Sequence, residues 1–597
     1  MSSEGASGLE ALEVQPLKRA HAYSRRWDEG ARSLIALALI LTGGLALNLW
    51  LGRDQTLIQD EWGFLVERAP WNLGSLLDPH NGHLLALPLL VFKILVSTFG
   101  IDSFVPLRTA GLLAVFSVVV LLYVLGRRRL GPWLSLVAPA ALVFLGGSYD
   151  TVLTSVALPY TMSVAFGLTA MLALDSRRPK SDAIACGALI CSVLSFTIGL
   201  AFVLAAGARV ALARRTGARQ ASWVAIAPLL IYVAWFVWAR HFHETHILLD
   251  GVGGLFSGMA DNLAAVCAAV TGLGFTPGDA DISQRLATRL DWGQVLAVGF
   301  IALYWLRSRS DGISGRAWVA AVALVGYLAL IALGLGPGRT PNAPRYLFMG
   351  VSIAAYALVE LGASFRPARA TGIAIATVLG LGILAGAVTM KHGGALLRLE
   401  AATNRAELGA LELGRGVIGP DFFVEDSTQD LRSNPDMLFT AGDYFQFSSN
   451  VGTPADSEAE LLNEPEQARE AADLLLARAL PISITETATP DINNGRPVVP
   501  ILGDTDQESA GGCVRAVPAD DGQAHLIVHV PPGGLAYETE ESTVPDISLR
   551  RYAVELAVEP AALPGAGTLV VPIDLGHRVW AASITSTSEL RACPIGH

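Results

Sequence analysis

Charge is what this sequence has least of. Only 16% of its 597 residues are Asp, Glu, Lys or Arg, against 52% hydrophobic, where soluble domains run near 25% charged. The deficit is concentrated in long stretches, which excludes an ordinary soluble protein and marks a membrane chain. Lysine is nearly absent: Lys18, Lys93, Lys180 and Lys391 are the whole set. Almost all positive charge is therefore arginine, a coding habit of GC-rich bacterial genomes rather than a mechanism. Cysteine is scarce too, with five in all. There are no internal repeats and no long low-complexity tract, and nothing points to nucleic acid. A usual secretory signal is missing as well. The first apolar run starts only after about 32 polar residues and is long enough to span, so it reads as an uncleaved first helix.

A spanning helix needs roughly 20 apolar residues. The candidates are 33–52, 108–126, 132–148, 151–174, 182–196, 199–213, 221–239, 291–306, 317–335, 345–363 and 370–390. Basic residues set the orientation, because they stay on the cytoplasmic side. Arg25, Arg26 and Arg32 place the N-terminus inside, and Arg127, Arg128 and Arg129 must also be inside. An even number of crossings separates them. The weakest apolar run between them, 84–99, holds Pro88 and Lys93. It is expected to lie on the outer surface or to be half inserted. The clusters Arg177, Arg178 and Lys180, then Arg214, Arg215 and Arg219, then Arg307, Arg309 and Arg316, and last Arg366 and Arg369, all fall inside on eleven crossings. Residues 53–107, 240–290, 336–344 and everything after Lys391 then lie outside.

The two ends of the chain differ in sign. After His392, 12 arginines face 31 carboxylates, whereas the part before it is net basic. This is a basic membrane part with an acidic appendage. The expected division is a cytoplasmic tail over 1–32, a transmembrane domain over 33–390, a helical connector over 391–480 and a β-domain over 481–597. LLRLEAATNRAELGALEL (396–413) is amphipathic, and SEAELLNEPEQAREAADLLLARAL (457–480) is rich in helix formers. HLIVHV (525–530), YAVELAV (552–558), TLVVPI (568–573) and VWAASIT (579–585) run apolar or alternate between Pro and Gly turns, as in an antiparallel β-sandwich. Cys513 and Cys593 flank this domain. In an oxidising compartment they can pair; two free thiols are the alternative.

The first outer loop gathers the residues that could carry chemistry. It opens with Gln59-Asp60-Glu61-Trp62-Gly63-Phe64, two carboxylates beside aromatics. Asp78-Pro79-His80-Asn81-Gly82-His83 follows, directly before the surface helix, which Lys93 and Arg108 bracket. A late helix begins with Arg345-Tyr346, and a tight hairpin turns at Thr197-Ile198-Gly199-Leu200.

In their order and topology these features resemble the GT-C superfamily of membrane glycosyltransferases, over residues 33–390. Such enzymes take a sugar from a polyprenyl-phosphate donor outside the cytoplasm. The turn lacks the Lys and Pro often seen in lipid A and protein-O-mannosyl relatives. The C-terminal domain looks, in arrangement only, like those of some actinobacterial cell-wall transferases. The resemblance implies a polytopic α-helical fold of about eleven transmembrane helices with an extracytoplasmic α+β domain containing a β-sandwich. It implies transfer to a cell-envelope glycan or lipid acceptor at the outer face of the plasma membrane. Asp60 is then the candidate base, since a carboxylate can take the proton of an acceptor hydroxyl, with Glu61 as base, metal ligand or bystander. Arg345 is the candidate for the leaving lipid phosphate, through charge-assisted bidentate contacts, with Arg108 and Lys93 behind it. Tyr346, His83 and Trp62 complete the substrate contacts.

Each of these residues has a plainer alternative. An acidic pair can cap a surface helix, and interfacial arginines, lysines and aromatics anchor helices in lipid. His241, His243, Glu244 and His246 could bind a divalent metal ion or form a polar rim. Asp150 at an outer turn could line a cavity or cap a helix, and Trp71 and Tyr160 could stack on sugar or lipid. The rival function is a non-catalytic transporter or envelope-assembly scaffold. A transporter would more often place ionisable groups at mid-membrane and show repeat symmetry.

Overall fold

The computed structural model describes residues 7–595 apart from 59, 177–178, 216–220, 241–253, 273–289, 311, 335–339, 364, 425–436, 481, 487–497, 503–504, 508–511, 532, 555–557 and 572–574. His241, His243, Glu244 and His246 lie outside these residues, as do Arg177, Arg178 and Arg219. The chain is a multi-pass α-helical membrane protein with a C-terminal α+β region. It divides into two compact units. The first comprises Met1–Arg53, Pro70–Phe92 and Val105–Ala395. The second comprises Asp54–Ala69, Lys93–Phe104 and Leu396–His597, so two pieces of the loop after the first helix fold with the C-terminal part.

The described elements of the first unit are helices. Among the described residues, Glu29–Leu51, Val105–Leu130, Gly315–Leu333 and Arg369–Leu413 are long and apolar enough to cross a membrane. The expected run 132–148 is instead broken: Leu134–Val143 and Gly146–Leu153 meet at 47°. The break has a packing cause. The last helix brings Gly386 against it, and a Cβ on Gly386 would stand 2.1 Å from the Phe144 carbonyl oxygen. Small residues let backbones approach this closely in lipid. Ala86–Phe99, Leu158–Leu174 and Trp223–Ala239 are shorter apolar helices. So is Leu255–Thr271, which the sequence pattern assigns to an outer loop. Its first turns carry Ser257, Asp261 and Asn262, leaving an apolar run too short to read as a span. The tight hairpin forms as expected from Pro179–Ser195 and Gly199–Arg215. A Cβ on Gly199 would lie 2.6 Å from the Ser192 backbone, so the turn admits only glycine.

Five helix ends meet through charge in this unit. The Arg129 guanidinium pairs with Asp175 and, at 3.0 Å, with Glu360. Arg209 approaches Asp175 at 3.9 Å and Arg316 approaches Glu360 at 3.7 Å. These are ends that the basic-cluster reading places on one face.

In the second unit the strands are β1 (Phe423–Val424), β2 (Phe439–Thr440), β3 (Ser483–Thr485), β4 (Pro500–Leu502), β5 (Thr505–Gln507), β6 (Val514–Ala516), β7 (Ala524–His529), β8 (Leu535–Glu538), β9 (Asp546–Arg550), β10 (Ala566–Val570), β11 (Ala581–Ser586) and β12 (Leu590–Pro594). β1 and β2 form a ribbon. The rest form a six-stranded sheet, β3-β10-β8-β12-β6-β5, and a four-stranded sheet, β4-β7-β11-β9, antiparallel throughout. Alternation puts Ala524, Leu526 and Val528 of β7 in the core beside Ile584 of β11. Cys513 and Cys593 form a disulfide next to the β6–β12 ladder. Residues 552–554 do not join the strand that the pattern of 552–558 suggests; 555–557 lie outside the described residues. The buried Asp473 carboxylate, on the helix Glu466–Ala479, accepts the N–H groups of Arg551, Tyr552 and Ala553 at 2.7–3.1 Å and draws them out of the ladder.

The Glu360 side chain is 2% exposed and that of Arg316 is 43% exposed. Removing one partner of a buried pair leaves the other charge uncompensated, at roughly 3 kcal/mol or more, while an exposed pair is worth under about 1 kcal/mol. Glu360→Gln should therefore lower the thermal stability of the detergent-purified protein strongly, and Arg316→Gln only slightly.

Candidate functional site

The acidic pair separates into two different groups. Asp60 is half-exposed at the start of a short helix, Asp60–Trp62, that continues as a π-helical turn over Gly63–Glu67. Glu61 is fully buried, and its Oε2 accepts the N–H of Ile58 at 2.9 Å. The Glu61 N–H in turn donates to the Ile58 carbonyl at 3.1 Å. Glu61 thus closes the turn that presents Asp60.

The rest of the second unit holds this turn. The Trp62 indole N–H and the Asn404 amide each donate to the Leu57 carbonyl at 3.1 Å. Arg405 donates to the Asp54 carbonyl at 2.6 Å, where the backbone is left-handed with φ 61°. Its guanidinium is anchored by Glu464 at 2.6 Å and Asp456 at 3.3 Å. The Trp62 ring is 0% exposed and packs 5.6 Å from Phe439 and 6.3 Å from Tyr444. Stacking on sugar is thereby removed from Trp62, whose ring is core. Lys93 is buried as well, and its ammonium bonds the carbonyls of Arg68 and Ala69, the end of the same turn.

In the first unit, Asp78–His83 folds as a tight turn in which His80 and His83 pair and Asn81 and Gly82 take φ of 49° and 77°. These are the left-handed values an Asn-Gly turn supplies. His83 Nδ1 lies 2.8 Å from the Thr197 hydroxyl, which lies 3.2 Å from the Tyr232 hydroxyl. The His83 ring sits 4.2 Å from Phe196, with Tyr160 on the other contact of that ring at 4.3 Å. The first loop and the glycine hairpin therefore meet. Trp71 is exposed, and Asp150, on the second half of the broken helix, is half-exposed. Arg345 and Tyr346 are half-exposed at the start of Pro344–Leu361; the guanidinium lies 5.4 Å over the Tyr346 ring. The Tyr346 carbonyl accepts the Tyr327 hydroxyl at 2.5 Å.

Arg108 has a different task from the one expected. It is buried, and its guanidinium donates to the carbonyls of Asn48 and Gly52 and to Asn48 Oδ1 at 2.8 Å. It caps the C-terminal end of the first helix, which removes it from the leaving-group set. Among the described residues, no group of three or more His, Cys, Asp and Glu could hold a metal ion. Asn404 and Arg405 were not singled out from sequence. The available signal was an Asn on the buried face of an otherwise Ala- and Leu-rich helix, an unfavourable choice unless its amide has a partner.

Burial pushes the Asp456 carboxyl up to about 7, with Glu464 and Glu460 adding to it and Arg405 opposing it. An unfolded Asp titrates near 3.9. Between about pH 4 and 7 the folded state thus holds a proton that the unfolded state has lost, and stability falls as pH rises through that window. Asp456→Asn should remove this dependence, gaining on wild type by roughly 2–4 °C in melting temperature between pH 5 and 8.

No family model matches the chain, and no curated protein matches it in sequence. Among solved structures it is similar to ArnT from Cupriavidus metallidurans bound to undecaprenyl phosphate, at 13% identity over 71% of this chain and 89% of that one, with a TM-score of 0.39. The apo state of ArnT gives 12% identity, 72% and 90% coverage and a TM-score of 0.40. The arabinosyltransferase EmbB from Mycobacterium smegmatis gives 12%, 94% and 64%, with a TM-score of 0.31.

Proposed function

We propose that the chain is a GT-C-type glycosyltransferase moving a sugar from a polyprenyl-phosphate carrier to a cell-envelope acceptor at the outer face of the membrane. The observation that carries this reading is the division of labour in the acidic pair. Glu61 is buried and engaged with its own turn, while Asp60 stands half-exposed on a turn braced by Trp62, Asn404, Arg405 and Lys93. A carboxylate on a rigid turn is what a general base requires, since geometry governs proton transfer before pKa does.

In this reaction the acceptor hydroxyl gives its proton to Asp60 as its oxygen bonds to the anomeric carbon. The bond from that carbon to the phosphate oxygen breaks, and the electron pair leaves with the polyprenyl phosphate. The sugar inverts. Arg345 meets the charge of the departing phosphate, with Tyr346 beside it and His83, oriented by Thr197, as a polar contact to the donor. The C-terminal sandwich binds or orients the acceptor glycan. His241, His243, Glu244 and His246 remain candidates for a divalent metal ion.

Asp60→Asn keeps size but removes the proton acceptor, and transfer should fall by roughly 10²-fold or more with little loss of stability. Glu61→Gln should behave oppositely, costing on the order of 1–3 kcal/mol of stability and less of the rate. Wild-type transfer by a folded Asp60→Asn protein would remove Asp60 as the base. Orientation has its own test: a reporter active only in the cytoplasm should work when fused after Arg129, Arg215 or Arg309 and be silent after Ala410.

A further inference from the structure

The residue that most needs an explanation is Asn404. It sits in the interior of a helix, where Asn is a poorer choice than Ala by roughly 0.5–0.7 kcal/mol, and it is 0% exposed, as is Ala406, with Ala402 at 3%. A buried amide is tolerated only where its hydrogen bonds are met. One of them goes to the Leu57 carbonyl.

A carbonyl oxygen has two lone pairs, and at Leu57 two side-chain donors converge on it from different parts of the second unit, Asn404 and Trp62. Leu57 and Ile58 are themselves 1% and 2% exposed. The next helix residue, Arg405, takes the Asp54 carbonyl. Two consecutive residues of the helix Arg369–Leu413 thus grip the Asp54 and Leu57 carbonyls ahead of Asp60. Leu57 lies three residues before that carboxylate and directly precedes Ile58, to which Glu61 closes the turn.

We infer that Asn404 is a positioning residue for Asp60: its amide, through the Leu57 carbonyl shared with Trp62, fixes the turn from which the carboxylate reaches the acceptor hydroxyl. This rests on the reading of Asp60 as base. A base misplaced by about 1 Å can lose on the order of 10²-fold in rate, so one hydrogen bond at the root of the turn acts on turnover without touching substrate.

The test uses the full-length protein in detergent, with synthetic undecaprenyl-phosphate-linked pentoses and hexoses to find a donor the wild type turns over. Asn404→Leu keeps the bulk and removes the donor. It should lower kcat by roughly 10- to 100-fold with KM unchanged, and speed amide exchange in the peptide covering 54–69 but not in the sandwich. Asn404→Gln, which retains the donor, should recover much of both. Trp62→Phe removes the other donor while keeping the ring, and should reproduce the same pair of changes even if Asn404→Leu does not fold. Unchanged exchange over 54–69 and unchanged kcat in either folded variant, beside an inactive Asp60→Asn, would overturn the positioning role and leave the base intact. Wild-type turnover by Asp60→Asn, or no turnover of any donor by the wild type, would instead sink the catalytic reading, and the exchange data alone would then decide whether Asn404 holds the turn.

Discussion

Hydrocarbon cannot hydrogen-bond a stray carbonyl, so each helix end or break at membrane depth must find a partner inside the protein. Much of the polar inventory of the first unit answers to that constraint. At the end of the first helix the Asn48 carbonyl accepts the Gly52 N–H at 2.9 Å, and the Arg108 guanidinium donates to the carbonyls of both Asn48 and Gly52. Ser163 and Ser192 exchange hydrogen bonds with each other's carbonyls across neighbouring helices. The Asn262 amide donates to the Pro341 carbonyl, and the Tyr327 hydroxyl to that of Tyr346. Residues that look in isolation like ligands for a substrate are drawn into this duty. A buried arginine in a membrane protein is therefore weak evidence of phosphate binding until its donors have been counted.

The same constraint sorts the charges. Arg129, Asp175, Arg209, Arg316 and Glu360 do not spread along their helices but collect at one set of ends, where each guanidinium finds a carboxylate.

The periodicities explain what was legible in the sequence. Long apolar runs announced the membrane class, and alternation announced β7, β10 and β11, because both signals are local. The signal failed where tertiary contacts override it. Residues 552–558 have strand composition, yet Asp473 claims the N–H groups at 551–553. The run 132–148 is apolar enough to span, yet the Gly386 approach sits at its break. Strands such as β3, β5 and β6 have three residues each, too few to show a period. At the site, the acidic pair could be singled out because it opens the loop after the first helix with aromatics beside it. Which of them is buried could not, since that depends on Asn404 and Arg405, some 340 residues away in sequence.

That separation bears on how such a site is built. A loop between two membrane helices has few contacts of its own to hold a carboxylate still, and its backbone groups would otherwise turn to water. Here the segments 54–69 and 93–104 fold with the C-terminal unit, which supplies a buried indole partner in Tyr444, an amide in Asn404 and a guanidinium in Arg405. Asp102 and Thr453 repeat the arrangement, the carboxylate accepting the Thr453 N–H at 2.9 Å while Ile101 bonds the Val451 carbonyl. The acidic appendage is thus more than a module joined on after the last span. Its packing gives the segments 54–69 and 93–104 a fixed shape, in which Glu61 is buried in the turn and Asp60 is half-exposed.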